Sequence, residues 1–146
     1  MATLTNALEG RLGYQLRRAS ATMMADLGRE LADLELRPAE VTTLLVIGEN
    51  PDCSQTEVGQ TLGIKRANMV PIISRLLDRG LVARTRADGR SHALRLTAEG
   101  EAMSQEAQAR IDSHEFRFVT LLADADLAAL RRAMPMIRAV REVDAD

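Results

Sequence analysis

A chain of 146 residues that is 46% hydrophobic and 27% charged can form one globular domain with a real core and is too short for two of ordinary size. It has no apolar run near the roughly 20 residues that cross a bilayer, and its first residues lack the basic and apolar regions of a secretion signal. A lone cysteine, Cys53, excludes an internal disulfide framework. We therefore expect a single cytoplasmic domain over residues 1–146 that makes no contact with a membrane.

The net charge of −2 conceals an uneven distribution. Between Ser54 and Thr97 there are eight basic residues and three acidic ones, a net charge of +5, so the rest of the chain carries −7. A basic middle between acidic ends is typical of a surface that binds a polyanion. The alternative is a chance excess of cations on one solvated face.

The first third of the chain has helical patterns. Apolar residues recur every three or four positions from Leu12 to Leu31, which predicts one long amphipathic helix. Pro38 predicts the start of a second helix, because the fixed φ of proline suits the first turn. The segment from Gly48 to Pro51 is expected to end it.

Two shorter helices follow. Ser54 and Glu57 have the spacing of a capping box, which predicts a helix start, and Gly63 is the expected stop. After a few residues a fourth helix is predicted to run to Asp78 or Arg79, with Gly80 ending it. Two short helices joined by a tight turn containing glycine form a helix-turn-helix pattern.

A hairpin is predicted directly after the fourth helix. Leu81–Arg86 and Ala93–Thr97 are the expected strands, and Ala87–His92 is the turn because its Asp-Gly pair is a strong hairpin signal. The tip carries Arg86, Arg90 and His92. A helix can then enter the DNA major groove while this wing reaches phosphates or the adjacent minor groove. The alternative is a solvated hairpin with incidental arginines.

The chain then returns to helix. Thr97 is the expected N-cap of a helix that runs to about Ala123, and Asp124 is expected to cap a last helix that bends near Pro135. A helix of about 26 residues spans about 39 Å, more than this small domain can cover. Long amphipathic helices at both ends therefore predict packing against a second copy of the chain.

The predicted fold class is mainly α with a small β-hairpin wing. A winged helix-turn-helix lobe at residues 38–97 is flanked by dimerisation helices at residues 1–37 and 98–146.

The segment from Gly80 to Gly100 resembles the wing signature of the MarR family of bacterial regulators. It has an Asp-x-Arg tip, Asp88-Gly89-Arg90, which leads into Leu-Thr-x-x-Gly at Leu96–Gly100. The order of elements over nearly the whole chain is also similar to that family. The resemblance implies a homodimer that binds a pseudo-palindromic operator in double-stranded DNA, usually as a repressor, and is released by a small molecule or an oxidant.

The resemblance also assigns roles in the wing. Arg90 would lie near the minor groove, and Asp88 would stabilise the wing by pairing with Arg84 or Arg86. The candidate DNA-binding residues are basic or amide side chains of the fourth helix and the wing: Lys65, Arg66, Asn68, Arg75, Arg84, Arg86, Arg90 and His92.

The fourth helix departs from the family pattern at Pro71. Proline has no amide to donate and collides with the turn that holds Ala67, so it should bend the helix or confine its first turn. One interpretation is a tolerated kink. The other is that the kink directs Lys65, Arg66 and Asn68 into the groove, where asparagine suits adenine and arginine suits guanine.

The effector pocket implied by the resemblance lies between the DNA-binding lobe and the dimerisation helices. An imidazole and an arginine there would suit a carboxylate or phenol, so an aromatic acid or its CoA thioester is a candidate effector. The alternative for His114 is an ordinary core or interface histidine. Cys53 has no basic neighbour in sequence, so a redox switch is not expected there. The candidate effector residues are Tyr14, Arg17, Arg18, Arg110, His114 and Phe118.

Enzyme chemistry is not expected. No residues have metal-ligand spacing, no nucleophile has a partnered base, and no glycine-rich loop precedes a helix, so neither a metal nor a cofactor is predicted. The expected function is a ligand-responsive homodimeric repressor of a catabolic or efflux operon. The alternative is a winged-helix adaptor or antirepressor that acts through protein contacts, which has no need of a basic middle.

Overall fold

The computed structural model describes residues 4–87 and 91–140. It is mainly helical with one two-stranded antiparallel sheet, which confirms the predicted winged-helix class. The chain forms two compact units, the first ending at Ile111 and the second starting at Asp112. The elements are α1 (Leu12–Glu30), a 3₁₀ helix (Ala32–Leu34), α2 (Pro38–Glu49), α3 (Gln55–Leu62), α4 (Arg66–Asp78), β1 (Val82–Ala87), β2 (Ser91–Leu96), α5 (Ala98–Val119) and α6 (Asp124–Ala139).

The core of the first unit fixes the orientation of α4. Met69, Ile73 and Leu76 are buried in one apolar cluster with side chains of α2, among them Leu44 and Ile47. Full burial of such a side chain contributes about 1.5–3 kcal/mol. Because one stripe of α4 is held inward in this way, its opposite face is directed to solvent.

The capping box predicted for α3 is present. The Ser54 hydroxyl accepts from the Glu57 amide at 3.2 Å, and the Glu57 carboxylate accepts from the Ser54 amide at 2.7 Å and from the Ser54 hydroxyl at 2.8 Å. The two hydrogen bonds that the carboxylate accepts lower the pKa of Glu57. Gly63 and Gly80 have φ of 65° and 68°, a region in which only glycine is free of strain. The turn between α3 and α4 and the end of α4 therefore follow the predicted residues.

The strands reach closer to the hairpin tip than predicted. β1 and β2 pair from Val82 opposite Leu96 to Ala87 opposite Ser91, so the predicted turn at Ala87–His92 was too wide. The ladder continues one residue beyond Arg86 on β1 and two residues before Ala93 on β2, and it leaves out Leu81 and Thr97 at the base.

The base of the wing also pairs with the chain between α2 and α3. The Asp52 amide donates to the Leu94 carbonyl at 3.0 Å, and the Leu94 amide donates to the Cys53 carbonyl at 2.8 Å. The segment that leads into α3 therefore acts as a third, very short strand beside β2.

The predicted end of α5 at Ala123 was wrong, because the helix ends at Val119. The Thr120 hydroxyl donates to the Phe116 carbonyl at 2.9 Å, and the Leu121 amide donates three residues back, to Phe118, at 3.1 Å. Such tightened bonds close the last turn. Leu121, just after the helix, is 77% exposed.

The start of α6 also differs from the prediction. Asp124 is the first helical residue, and Ala123 is the N-cap with no side-chain hydrogen bond. An aspartate in the first turn still interacts favourably with the helix dipole. α6 continues through Pro135 to Ala139. Within the described residues, no helix has both the length and the apolar character needed to span a membrane.

The Leu-Thr-x-x-Gly motif joins the start of α5 to the start of the hairpin. The Thr97 hydroxyl donates to the Gly80 carbonyl at 2.6 Å and accepts from the Gly100 amide at 3.0 Å, as the predicted N-cap should. The Thr97 amide donates to the Leu81 carbonyl at 3.1 Å. A Cβ added at Gly100 would overlap that same carbonyl oxygen, so the motif needs glycine there.

Gly100→Ala should destabilise the protein by about 1–3 kcal/mol, because the new methyl group must push the Leu81 backbone aside. The matched control is Gly28→Ala within α1, where a Cβ meets nothing within 4 Å. The control should stabilise by about 0.5–1 kcal/mol through helix propensity. Urea unfolding of both variants measures the difference, and equal stability of Gly100→Ala and the wild type would contradict the packing described.

Candidate functional site

Two grooves meet at the start of α3. A groove of about 390 Å³ between α3 and α4 is lined by Gln55, Thr56, Gly59, Gln60, Gly63, Ile64, Lys65, Arg66 and Met69. A second, of about 280 Å³, reaches from α3 and α4 to the wing and is lined by Ser54, Gln55, Thr56, Arg66, Arg84, His92 and Leu94. Four of the predicted DNA-binding residues therefore lie on adjoining surfaces, although up to 27 positions separate them in sequence.

Four cations of this region are exposed and make no ion pair within the described part of the chain. Lys65 and Arg66 at the start of α4 and Arg84 and Arg86 on β1 are all exposed. None of the four makes an ion pair with another residue among those described. The charge predicted for the basic middle is thus presented to solvent at the helix and at the wing.

The other described arginines of the basic middle make contacts within the protein. Arg75 pairs through Nε with the buried carboxylate of Glu40 at 3.0 Å. Arg79 donates to the carbonyls of Leu34 at 3.1 Å and Glu35 at 2.8 Å. Arg75 was predicted to contact DNA, and its pairing with α2 gives it a structural role.

Arg95 forms the third structural contact. Its Nε and Nη2 donate to the two carboxylate oxygens of Asp52, a bidentate pair. The guanidinium lowers the pKa of Asp52 and the carboxylate raises that of Arg95. Asp52 precedes the α3 cap at Ser54 by two residues, so the pair links β2 to the start of the helix-turn-helix.

Asn68 is exposed on α4, in the first turn after the cap. Pro71 lies inside α4, and the helix continues beyond it to Asp78. The proline therefore does not limit α4 to its first turn. Asp88 and Arg90, predicted to shape and charge the wing tip, lie outside the described residues.

Three polar residues at the start of α3 were not predicted as site residues. Ser54, Gln55 and Thr56 line the groove beside Arg66 and Arg84. The Ser54 hydroxyl donates to the Glu57 carboxylate at 2.8 Å, whereas the Gln55 amide and the Thr56 hydroxyl are groups of the kind that commonly donate to DNA phosphates. The capping box indicated their position, since it places residues 54–56 at a helix start.

The candidate effector residues of α1 form a small cluster. The Asn6 side chain donates to the Tyr14 hydroxyl at 2.8 Å, and Arg17 lies with its guanidinium carbon 5.7 Å from the centre of the Tyr14 ring. Arg18 is exposed. A half-buried phenol beside an arginine is suited to an aromatic anion.

Arg110 is committed to other protein groups. Its Nη1 and Nη2 donate to the Asp33 carboxylate at 2.9 and 2.8 Å, and its Nε donates to Glu106 at 2.8 Å. These bonds lower the pKa of Asp33 and raise that of Arg110. An effector would have to displace a bidentate ion pair in order to reach this guanidinium.

His114 and Phe118 lie together on α5. His114 is 3% exposed, and its ring centre is 5.0 Å from that of Phe118.

Burial of the Cys53 thiol, with a smaller contribution from the Glu57 charge, raises the pKa of Cys53. A thiol of raised pKa is a poor nucleophile, in line with the expectation that Cys53 is no redox switch.

The comparisons with known proteins fit this geometry. A sequence model described as MarR family matches residues 34–91. The transcriptional repressor CouR, solved bound to a 23-mer DNA duplex, is 35% identical, with 94% of this chain and 99% of that chain covered and a TM-score of 0.87. This chain belongs to the MarR family. CouR bound to p-coumaroyl-CoA is 36% identical at a TM-score of 0.86, with 94% of this chain and 98% of that chain covered.

Two further relatives are transcriptional regulators. A putative transcriptional regulatory protein for the hcr operon of Thauera aromatica is 28% identical over an alignment of 131 positions, with 85% of this chain and 76% of that protein covered. The Mycobacterium tuberculosis MarR family protein Rv2887, solved with salicylic acid, is 26% identical, with 90% of this chain and 99% of that chain covered and a TM-score of 0.70.

Arg95→Ala should raise the pKa of Asp52 toward the ordinary carboxyl value near 3.8, because the guanidinium is the largest cause of the lowered value. A carboxylate with a lowered folded-state pKa stabilises the protein above its unfolded-state pKa, and that stabilisation is lost as pH falls through the folded-state value. The stability difference between wild type and variant should therefore be full near pH 6 and shrink in acid. NMR titration of the Asp52 carboxyl carbon measures the shift, and an unchanged pKa would show that the pair does not form.

Proposed function

We propose that this chain is a homodimeric transcriptional repressor that binds a pseudo-palindromic DNA operator and is released by a small aromatic or acyl effector. The lobe at residues 38–97 binds DNA, with α4 in the major groove and the β1–β2 wing against the backbone. The helices at residues 1–37 and 98–146 form the dimer. The operon that it controls is a catabolic or efflux operon.

The observation that carries the proposal is the groove shared by α3, α4 and the wing. Arg66, Arg84 and His92 line it together with the hydroxyl and amide side chains of residues 54–56, and no acidic residue is among its described lining residues. These cations make no ion pair with the described residues, and cations on α4 and on the wing can neutralise phosphates on both sides of the groove that α4 enters. The DNA-bound structure of CouR, which shares this fold, supports the assignment.

The dimer is supported by exposed apolar side chains on the terminal helices. In α1 and α6 these include Leu12, Met136 and Ile137, which are 67%, 73% and 43% exposed. Large apolar side chains at repeated positions on long helices indicate a surface that a partner covers. A two-fold dimer would present two α4 helices to a two-fold operator.

Arg84→Ala should weaken DNA binding for every sequence and reduce the slope of log affinity against log salt by about 1, because a backbone contact releases counterions and reads no base. The measurement is fluorescence anisotropy with the duplex upstream of the coding region over a salt series. Arg29→Ala on α1, also an exposed arginine, is the matched control and should leave the slope unchanged.

An unchanged slope for Arg84→Ala would place the wing outside the DNA interface. Absence of salt-dependent binding by the wild type, at the lowest salt used and with operator candidates selected from random DNA, would contradict the proposed function and favour a winged-helix adaptor.

The effector proposal rests on the relatives and on candidate side chains. CouR binds p-coumaroyl-CoA and Rv2887 binds salicylic acid, both aromatic compounds that carry negative charge. In the first unit Tyr14, Arg17 and Arg18 offer a ring and two cations to such a compound. In the second unit the buried His114 and the half-buried Phe118 offer an imidazole and an aromatic face. Arg110 is the weakest of the candidates, since Asp33 and Glu106 already hold it.

One compound among p-coumaroyl-CoA, p-coumarate and salicylate should release the protein from its operator and stabilise the free protein by about 2.7 kcal/mol at one hundred times its dissociation constant. Arg17→Gln should weaken the binding of that compound if the α1 cluster binds its anionic group. Arg29→Gln on the same helix should leave the binding unchanged. Thermal shift and operator release measure both effects. Failure of all three compounds to release the protein would contradict this effector class.

A further inference from the structure

The outward face of α4 has an unusual composition for a surface next to a basic groove. Successive residues of a helix are rotated by about 100°, so Ala67 and Pro71 lie opposite the buried Met69 and Ile73. Ala67 and Pro71 are exposed, and Val70 beside them is 51% exposed. We name Ala67, Val70 and Pro71 the apolar strip of α4.

The apolar strip has no side-chain donor or acceptor. Proline also lacks the amide that other residues have, so Pro71 adds no polar group of its own at the middle of the strip. The polar side chains of Arg66 and Asn68 lie on its two flanks, and the exposed Ser74 lies about one turn further along the same face. The part of this face between residues 67 and 71 can therefore contact only apolar groups without leaving a polar group unpaired.

In the DNA major groove one base alone presents an apolar group. Guanine, adenine and cytosine show donors and acceptors there, whereas thymine adds its C5 methyl group. Covering a polar base edge with an apolar side chain costs free energy, and covering a methyl group gains it. Resting on the proposed function, we propose that the apolar strip of α4 contacts thymine methyl groups, so that each operator half-site has T·A pairs opposite it.

The surroundings of the strip favour DNA over a protein as its occupant. The exposed Lys65, Arg66 and Arg84 make no ion pair with the described residues, and they complement phosphates on both sides of a groove. The centres of protein interfaces are rich in aromatic side chains and poor in charged ones. The strip has three small residues and no aromatic residue, and cationic residues lie beside it. This composition suits a surface that contacts the DNA major groove.

The test replaces single thymines by deoxyuridine, which removes the C5 methyl group and leaves every hydrogen-bonding group in place. The operator is first selected from random duplex DNA with the wild-type full chain. We expect one or two thymines in each half-site at which deoxyuridine weakens binding about fourfold, the effect of losing one buried methyl contact. Thymines elsewhere in the operator should show no effect and serve as internal controls.

Two variants connect the effect to the strip. Val70→Thr keeps the side-chain shape but exchanges a methyl group for a hydroxyl, and Pro71→Ala shortens the surface while favouring the helix. In at least one of them the deoxyuridine penalty should fall below twofold at one of the sensitive positions. Gln105→Ala, an exposed residue of α5, should keep the full penalty. Thermal unfolding and low-salt binding to non-specific DNA confirm that each variant is folded.

The outcomes separate the two proposals. If the wild type selects no DNA, both the proposed function and the thymine contact are overturned. If it selects an operator that has no thymine in its half-sites, or one that is insensitive to deoxyuridine throughout, the function stands and the thymine contact is overturned. A penalty that persists unchanged in both strip variants assigns the methyl contact to other residues and also overturns it.

Discussion

The arrangement of the site depends on the hydrogen bonds that the Leu94 backbone makes with the segment before α3. The Leu94 amide and carbonyl bond to the segment between α2 and α3 at 2.8 and 3.0 Å, its opposite edge faces β1, and its side chain is 1% exposed. β2 is thereby fixed beside the start of α3, with the Asp52–Arg95 pair at the same place. Because β1 pairs with β2, this junction also positions Arg84 near the start of α3 and the adjoining Arg66.

The arginines of the basic middle fall into two groups with different functions. Arg75, Arg79 and Arg95 bind protein carboxylates or carbonyls and join α2, the 3₁₀ helix and the α2–α3 segment to the elements that carry them. Arg66 and Arg84 face solvent beside the groove. The net charge of the segment therefore overstates the charge available to DNA, because part of it is neutralised within the fold. The remaining positive charge lies on α4 and the wing, the two elements that would contact DNA phosphates.

Local features were predictable from sequence and distant pairings were not. The capping box at Ser54 and the positive φ of Gly63 follow from chemistry within a few residues. The Arg110–Asp33 and Arg95–Asp52 pairs join residues 77 and 43 positions apart, and neither periodicity nor charge count identifies such partners. The end of α5 was predicted too late because no glycine or proline marks it, and hydrogen bonds around Thr120 end the helix instead.

Hydroxyl-radical footprinting of the selected operator tests most directly that α4 and the wing bind DNA as one unit. The account predicts two protected segments related by the operator two-fold, about one helical turn or a multiple of it apart, each with an outer protected patch from the wing. Arg84→Ala should weaken the outer patches and keep the inner segments. A single unsymmetrical protected segment, or outer patches that are equally strong in Arg84→Ala and the wild type, would contradict the account.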